Sequence, residues 1–187
     1  MRKPLVVVMT AAMSVGIAAF VPVAANAGAG DTPSTFTLSA SGGLSIAVPD
    51  GSVTPVNLGT ASTGAGSLAH SLGNVTVTDG RGSLTATWTA AATSTDFTTG
   101  TATADETVAK ANVGYYAGVG TPQLGQVGAF VPLGTALTPV ALGSSANVGT
   151  WAGTGNNTVS WNPTITFTLS PAQVAGTYSG TITHSVS

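Results

Sequence analysis

Along most of this chain apolar side chains alternate with threonine and serine at every second position, and a period of two commits the backbone to pleated strands with one face inward. Phe36 and Leu38 alternate with Thr35, Thr37 and Ser39, and Leu44, Ile46 and Val48 with Ser45 and Ala47. Val75 and Val77 alternate with Thr76 and Thr78, and Leu84, Ala86 and Trp88 with Thr85, Thr87 and Thr89. Near the end Ile165, Phe167 and Leu169 alternate with Thr164, Thr166 and Thr168, and Tyr178, Gly180, Ile182, His184 and Val186 share one parity. Strands are therefore predicted at 34–39, 43–48, 53–58, 73–79, 83–92, 110–117, 126–131, 137–142, 157–162, 164–169 and 177–186. Thr, Val and aromatic residues favour sheet, so 90–95 reads as strand despite its alanines. Asp79-Gly80-Arg81-Gly82 predicts a hairpin between the runs on either side, since Asp-Gly tolerates positive φ. Two stretches rich in Gly, Ser, Ala and Thr, 59–71 and 143–157, read as loops. Many short strands separated by turns predict an all-β fold, an Ig-like two-sheet β-sandwich.

The N-terminus has a different character. Arg2 and Lys3 precede an apolar run over 5–23, and Ala25-Asn26-Ala27 places small residues where a signal peptidase reads. The expectation is a signal-peptide helix over 1–27, cleaved after Ala27, and a single domain over 28–187. An uncleaved anchor is the alternative, since the run is long enough to span; Gly16 and Pro22 interrupt it.

Removing Arg2 and Lys3 leaves Arg81 and Lys110 as the only basic side chains against six acidic ones, a net charge of −4. Nucleic acid and anionic membrane surfaces are bound through Lys and Arg, so neither is an expected partner. The chain has no cysteine, which excludes disulfide staples, thiol catalysis and thiolate metal sites. Exported proteins without cysteine are common in Gram-positive lineages.

Little is left to carry chemistry. His70 is expected in a loop and His184 in the last strand, with no carboxylate at a local spacing to orient either and no Gly-x-Ser-x-Gly elbow. Asp105-Glu106 is the one acidic pair, and no Asp-x-Asp-x-Asp-Gly calcium loop occurs. Asp79, Arg81 and Asp96 read as turn chemistry with a local ion pair. No pair of carboxylates is marked for glycoside hydrolysis, and the Thr-x-Thr ladders lack the fixed spacing of an ice-binding solenoid. No enzyme activity, cofactor or metal is expected. Trp88 and Tyr178 share parity with apolar neighbours and are expected in the core. Trp151, in the Gly-rich stretch, and Tyr115 and Tyr116, which point to opposite faces, are the candidates for exposed ligand contact.

Tyr178-Ser179-Gly180-Thr181-Ile182-Thr183-His184-Ser185-Val186 resembles the C-terminal signature of WxL-domain proteins, in which Tyr is followed by an aliphatic residue and then Thr-Trp-x-Leu. Tyr178, Ile182 and Thr183 match; His184 stands in place of the Trp and Val186 in place of the Leu. The stretch from Val75 through Asp79-Gly80-Arg81-Gly82 to Trp88 resembles the family's other motif, with Thr89-Ala90 after Trp88 where x-Leu would stand. The resemblance covers residues 73–187. It implies a secreted Gram-positive surface protein, of actinobacterial style, held non-covalently on peptidoglycan or in a surface complex. Tyr178, His184, Val186 and Trp88, with Trp151 and Tyr116, are thus the expected contacts to a cell-wall polymer or a surface protein partner. Two rival readings stand beside this one: a structural or adhesive subunit that self-associates through strand edges, and a carbohydrate-binding module using Trp151 or Tyr116.

Overall fold

The computed structural model describes residues 34–50 and 54–187. The expected signal peptide lies outside the described residues, as does residue 53; the rest of the strand expected at 53–58 is described and forms no strand. By contacts the chain divides after Thr37. Of the first unit, residues 34–37 are described and belong to no strand. The second, Leu38–Ser187, holds the strands.

In order these are β1 (Leu44–Ala47), β2 (Ser67–Ser71), β3 (Val75–Asp79), β4 (Ala86–Ser94), β5 (Phe97–Thr98), β6 (Thr107–Val108), β7 (Val113–Tyr116), β8 (Thr121–Pro122), β9 (Val127–Pro132), β10 (Val140–Ala141), β11 (Ala146–Thr154), β12 (Asn157–Trp161), β13 (Thr164–Thr168) and β14 (Ile182–Val186). Two 3-10 turns, Ala104–Glu106 and Lys110–Asn112, are the described helical pieces. All pairing is antiparallel, in sheets ordered β1-β3-β12-β8, β10-β7-β13-β2 and β14-β4-β11-β9, with β5-β6 apart. The expected all-β class is what the chain adopts.

The first two sheets are continuous along the chain. β2 runs into β3 through 72–74, β12 into β13 through Asn162-Pro163, and β7 leads to β8 through 117–120. Proline cannot donate to a ladder, so the pairing breaks at Pro163. Asn162 holds the break together: its Oδ1 accepts bonds from the Ser71 hydroxyl (2.5 Å) and the Gly73 amide (3.2 Å), and the Leu72 amide donates to Pro163 O (2.9 Å). Side chains from this bent layer meet those of β14-β4-β11-β9, so Trp88 of β4 stacks on Trp161 of β12 at 6.3 Å. The layering is β-sandwich-like, with one core containing Val75, Val77, Trp88, Tyr115, Trp151, Val159, Trp161 and Ile165.

Alternation places the core strands correctly. β3, β4 and β12 bury every second residue, as the apolar parity requires. Four expectations are corrected. Residues 34–39 form no strand, and Phe36 and Leu38 stand 90 % exposed. Asp79-Gly80-Arg81-Gly82 is not a hairpin, because β3 pairs with β1 and β12 while β4 pairs with β11 and β14, so the turn is a corner between layers. Leu84 precedes the first paired residue of β4 and is exposed. Finally, both expected loops contain strands: β2, which carries His70, and the nine-residue β11.

Glycine accounts for the misread β11. A Cβ on Gly149 would meet the Phe130 ring at 2.5 Å, and one on Gly153 would meet Val127 O at 2.3 Å and Trp151 Nε1 at 2.8 Å. These glycines admit aromatic rings against the sheet, which is a strand use of the residue and not a loop use.

Candidate functional site

The tryptophans named from sequence lie inside. Trp88 and Trp151 are register partners across β4 and β11, each 2 % exposed, with rings stacked at 6.4 Å. Phe130 and Trp161 extend the stack at 5.0 Å. Core placement of Trp88 agrees with its parity; Trp151, expected in a loop, is fully packed and offers no open ring face. Tyr115 is buried too, while Tyr116 is half-buried on the opposite side of β7.

Two polar chains thread this aromatic core. In the first, the Trp88 indole donates to Asn157 Oδ1 (2.8 Å), and Asn157 Nδ2 donates to Asp79 Oδ2 (3.4 Å). Asp79 also receives the Arg81 amide (3.0 Å) and a two-pronged guanidinium contact, Nε to Oδ1 at 2.9 Å and Nη2 to Oδ2 at 2.8 Å. The fork-to-fork geometry is the strong form of this pair. The Arg81 side-chain hydrogen bonds hold the Asp79 carboxyl below its usual range against the opposing effect of burial. The Asp79–Arg81 pair expected from sequence thus closes the corner between layers.

In the second chain the Trp161 indole donates to Tyr115 Oη (2.9 Å), and Tyr115 Oη in turn shares a hydrogen bond with His184 Nε2 at 3.2 Å, its direction set by the imidazole tautomer. His184 Nδ1 is buried without a hydrogen-bond partner. Burial lowers the His184 pKa to about 4 and raises that of Tyr115. Ile182, His184 and Val186 are half-buried on one face of β14. Ile182 and Val186 pack on the core, and His184 meets Tyr115 edge-on at 5.5 Å. Tyr178, half-buried before β14 begins, donates to Val174 O (2.9 Å). The positions that carry the family resemblance are therefore positions that dock the last strand.

Two further acidic side chains, Glu106 and Asp96, are occupied locally. Glu106 Oε2 accepts the amide and hydroxyl of both Thr103 and Thr101, which lowers its pKa, the Thr103 amide contributing most. Asp96 Oδ1 accepts the Lys110 amide (2.7 Å). His70 contacts the Ser71 carbonyl at 3.0 Å. The histidines thus contact a carbonyl and a phenol, and among the described residues no three His, Asp or Glu side chains cluster as metal ligands.

A surface site that no motif announces lies at the break between β12 and β13. An open groove of about 550 Å³ runs there beside β8. Its polar lining comes from Asn74, Gln123, Ser160 and Asn162, and Val119 and Leu124 form an apolar wall. The lining has amide and hydroxyl groups and carries no charge. It arises because the proline break turns the chain away from the sheet face, exposing the side chains at the ends of the strands. Alternation patterns do not register such a place, since its residues come from three segments far apart along the chain.

No protein-family model and no curated protein matches this chain.

Proposed function

We propose that this chain is a non-catalytic, exported cell-envelope protein, an Ig-like sandwich of WxL-like type, that associates non-covalently with a neutral cell-wall polymer. The observation that carries the reading is the uncharged groove beside β8. Amides from Asn74, Gln123 and Asn162 with the Ser160 hydroxyl suit the hydroxyl and acetamido groups of a glycan, and the apolar wall of Val119 and Leu124 suits the faces of its rings. The resemblance of residues 73–187 to WxL domains supports the same assignment, as does the shortage of basic side chains, which leaves hydrogen bonding and shape to do the binding.

The buried Trp88, Trp151 and His184 serve the fold in this reading, and contact with the polymer passes to the groove. The test is to incubate the purified protein with isolated Gram-positive cell walls and measure the sedimenting fraction beside a charge-matched control. Saturable sedimentation that falls severalfold in Asn74→Ala/Gln123→Ala is the expected result. Sedimentation no greater than the control refutes wall binding, and undiminished sedimentation of the double variant removes the groove from it.

A further inference from the structure

We propose that the polymer held in the groove beside β8 continues along β12 and β13 into a second recess beside Gly114, so that the ligand is an extended glycan strand and not a single sugar. The inference rests on the reading that the groove takes a glycan. It starts from the phase of alternation across the proline break. From Asn157 to Phe167 every odd position is buried, Pro163 included, while every even position from Thr158 to Thr168 is half-buried or exposed. Pro163 therefore interrupts the ladder without shifting the phase. Thr158, Ser160, Asn162, Thr164, Thr166 and Thr168 form one outward row that passes from the first sheet into the second. A slip of one residue at the break would have turned one strand's share of that row into the core.

Both recesses open on this row. The groove of about 550 Å³ takes Ser160 and Asn162 from it. The second recess, about 170 Å³, takes Thr166 and Thr168, with Asn112 and Pro139 beside Gly114. Gly114 admits these walls, since a Cβ there would run into the Thr166 hydroxyl and the Pro139 ring. Between the recesses stand Thr164 and its register partner Tyr116, half-buried on the outer side of β7. Hydrogen-bonding recesses on either side of an aromatic side chain suit a sugar chain, whose rims are hydroxylated and whose ring faces are apolar. Neither recess takes a residue from β14, β4, β11 or β9.

Charge and pairing select the occupant. No Asp, Glu, Lys or Arg occurs in 111–187 or in 67–78, so an anionic polymer finds no cation along the row. A peptide cannot join as an added strand, because β12 is paired on both sides by β3 and β8 and β13 by β2 and β7. Asn162 and Thr166 are four residues apart, about 13 Å along the strand path at about 3.3 Å per residue. One sugar seated in the groove does not reach the second recess, whereas a chain of them does.

The test is competition for isolated Gram-positive walls, with the sedimenting fraction of the purified protein as readout. The competitors are wall glycan strands freed of peptide and the disaccharides cut from them, compared per sugar unit. Strands are expected to displace the protein at about tenfold lower concentration than disaccharides, the worth of one or two added hydrogen bonds. Asn112→Ala/Thr168→Ala alters two exposed side chains of the second recess, and tryptophan fluorescence verifies its fold. It is expected to sediment severalfold less and to lose the preference for strands. Equal potency of strands and disaccharides overturns the proposal, as does a variant that keeps both its sedimentation and its length preference; the groove reading survives either result. If the unaltered protein sediments no more than the control, the glycan reading itself falls and this inference with it.

Discussion

Acidification from pH 7 to 4.5 charges His184 in the unfolded chain long before it can charge in the folded one. Among the described residues the ring meets Tyr115, itself neutral in this range, the residue opposite on β4 is Ala92, and no carboxylate is hydrogen-bonded to it to compensate a positive charge. With a folded pKa of about 4 against a model value of 6.5, the unfolded state binds more protons between those values. Stability is therefore complete above about pH 6.5 and declines as pH falls to about 4. At about 1.36 kcal/mol per pKa unit, the linkage removes about 1.4 kcal/mol by pH 5.5 and about 2.5 kcal/mol by pH 4.5, with a ceiling of about 3.4 kcal/mol. Asp79 and Glu106, whose pKa values are lowered from 3.8 and 4.5, keep their contributions above those values and lose them as pH falls through and below them, so only the lower end of the window is shared with His184. Urea unfolding followed by fluorescence of the three buried tryptophans reads it directly. His184→Gln keeps a hydrogen-bonding amide beside the Tyr115 hydroxyl and has no charge to gain, so its stability is expected to stay nearly flat across most of that window. A wild-type loss under about 0.5 kcal/mol between pH 7 and 4.5, or an equal slope in the variant, refutes the reasoning.

Two further outcomes follow from the core. Gly149→Ala drives a methyl into the Phe130 ring, which is stacked on Trp161 and cannot easily retreat; a loss of about 1–3 kcal/mol is expected by thermal unfolding, and an unchanged midpoint would mean the ring moves freely. Arg81→Ala leaves the Asp79 carboxylate with an amide and Asn157 as its partners, so the variant is expected to unfold at a lower denaturant concentration at pH 7. The gap between the two proteins should narrow below about pH 4 as Asp79 protonates, and equal denaturant midpoints at pH 7 would contradict the role given to the pair.

How far the sequence disclosed the fold depends on whether the deciding physics was local. Val75, Val77 and Trp88 announce their faces by parity, because a strand's side chains alternate whatever it pairs with. Pairing itself is non-local: Asp79-Gly80 makes the same tight turn whether the chain returns to its own sheet or crosses to the next, so the apparent hairpin proved a corner. β11 was hidden because glycine signals a loop unless the ring that fills its place is known, and Phe130 lies far along the chain from Gly149. Likewise Trp151 looked exposed only because its strand looked like a loop. The ion pair of Asp79 and Arg81 was legible at a spacing of two residues; the Trp161–Tyr115–His184 chain, built from β12, β7 and β14, was not, and neither was the groove.

Among these strands only β5 and β6 are neighbours both in sequence and in a sheet. β3 waits for β12, and β4, inside its sheet, waits for β11 and for β14 at Ile182–Val186. Each closure joins segments far apart along the chain, the topology that places folding on the millisecond-to-second scale and offers few stable partial structures. A nascent chain lacking its last residues thus has an unpaired flank on β4 and no seat for the Tyr115 hydroxyl. Full order in this sheet therefore waits on the pairing of Ile182–Val186 with β4, and segments short of it keep one flank of β4 open.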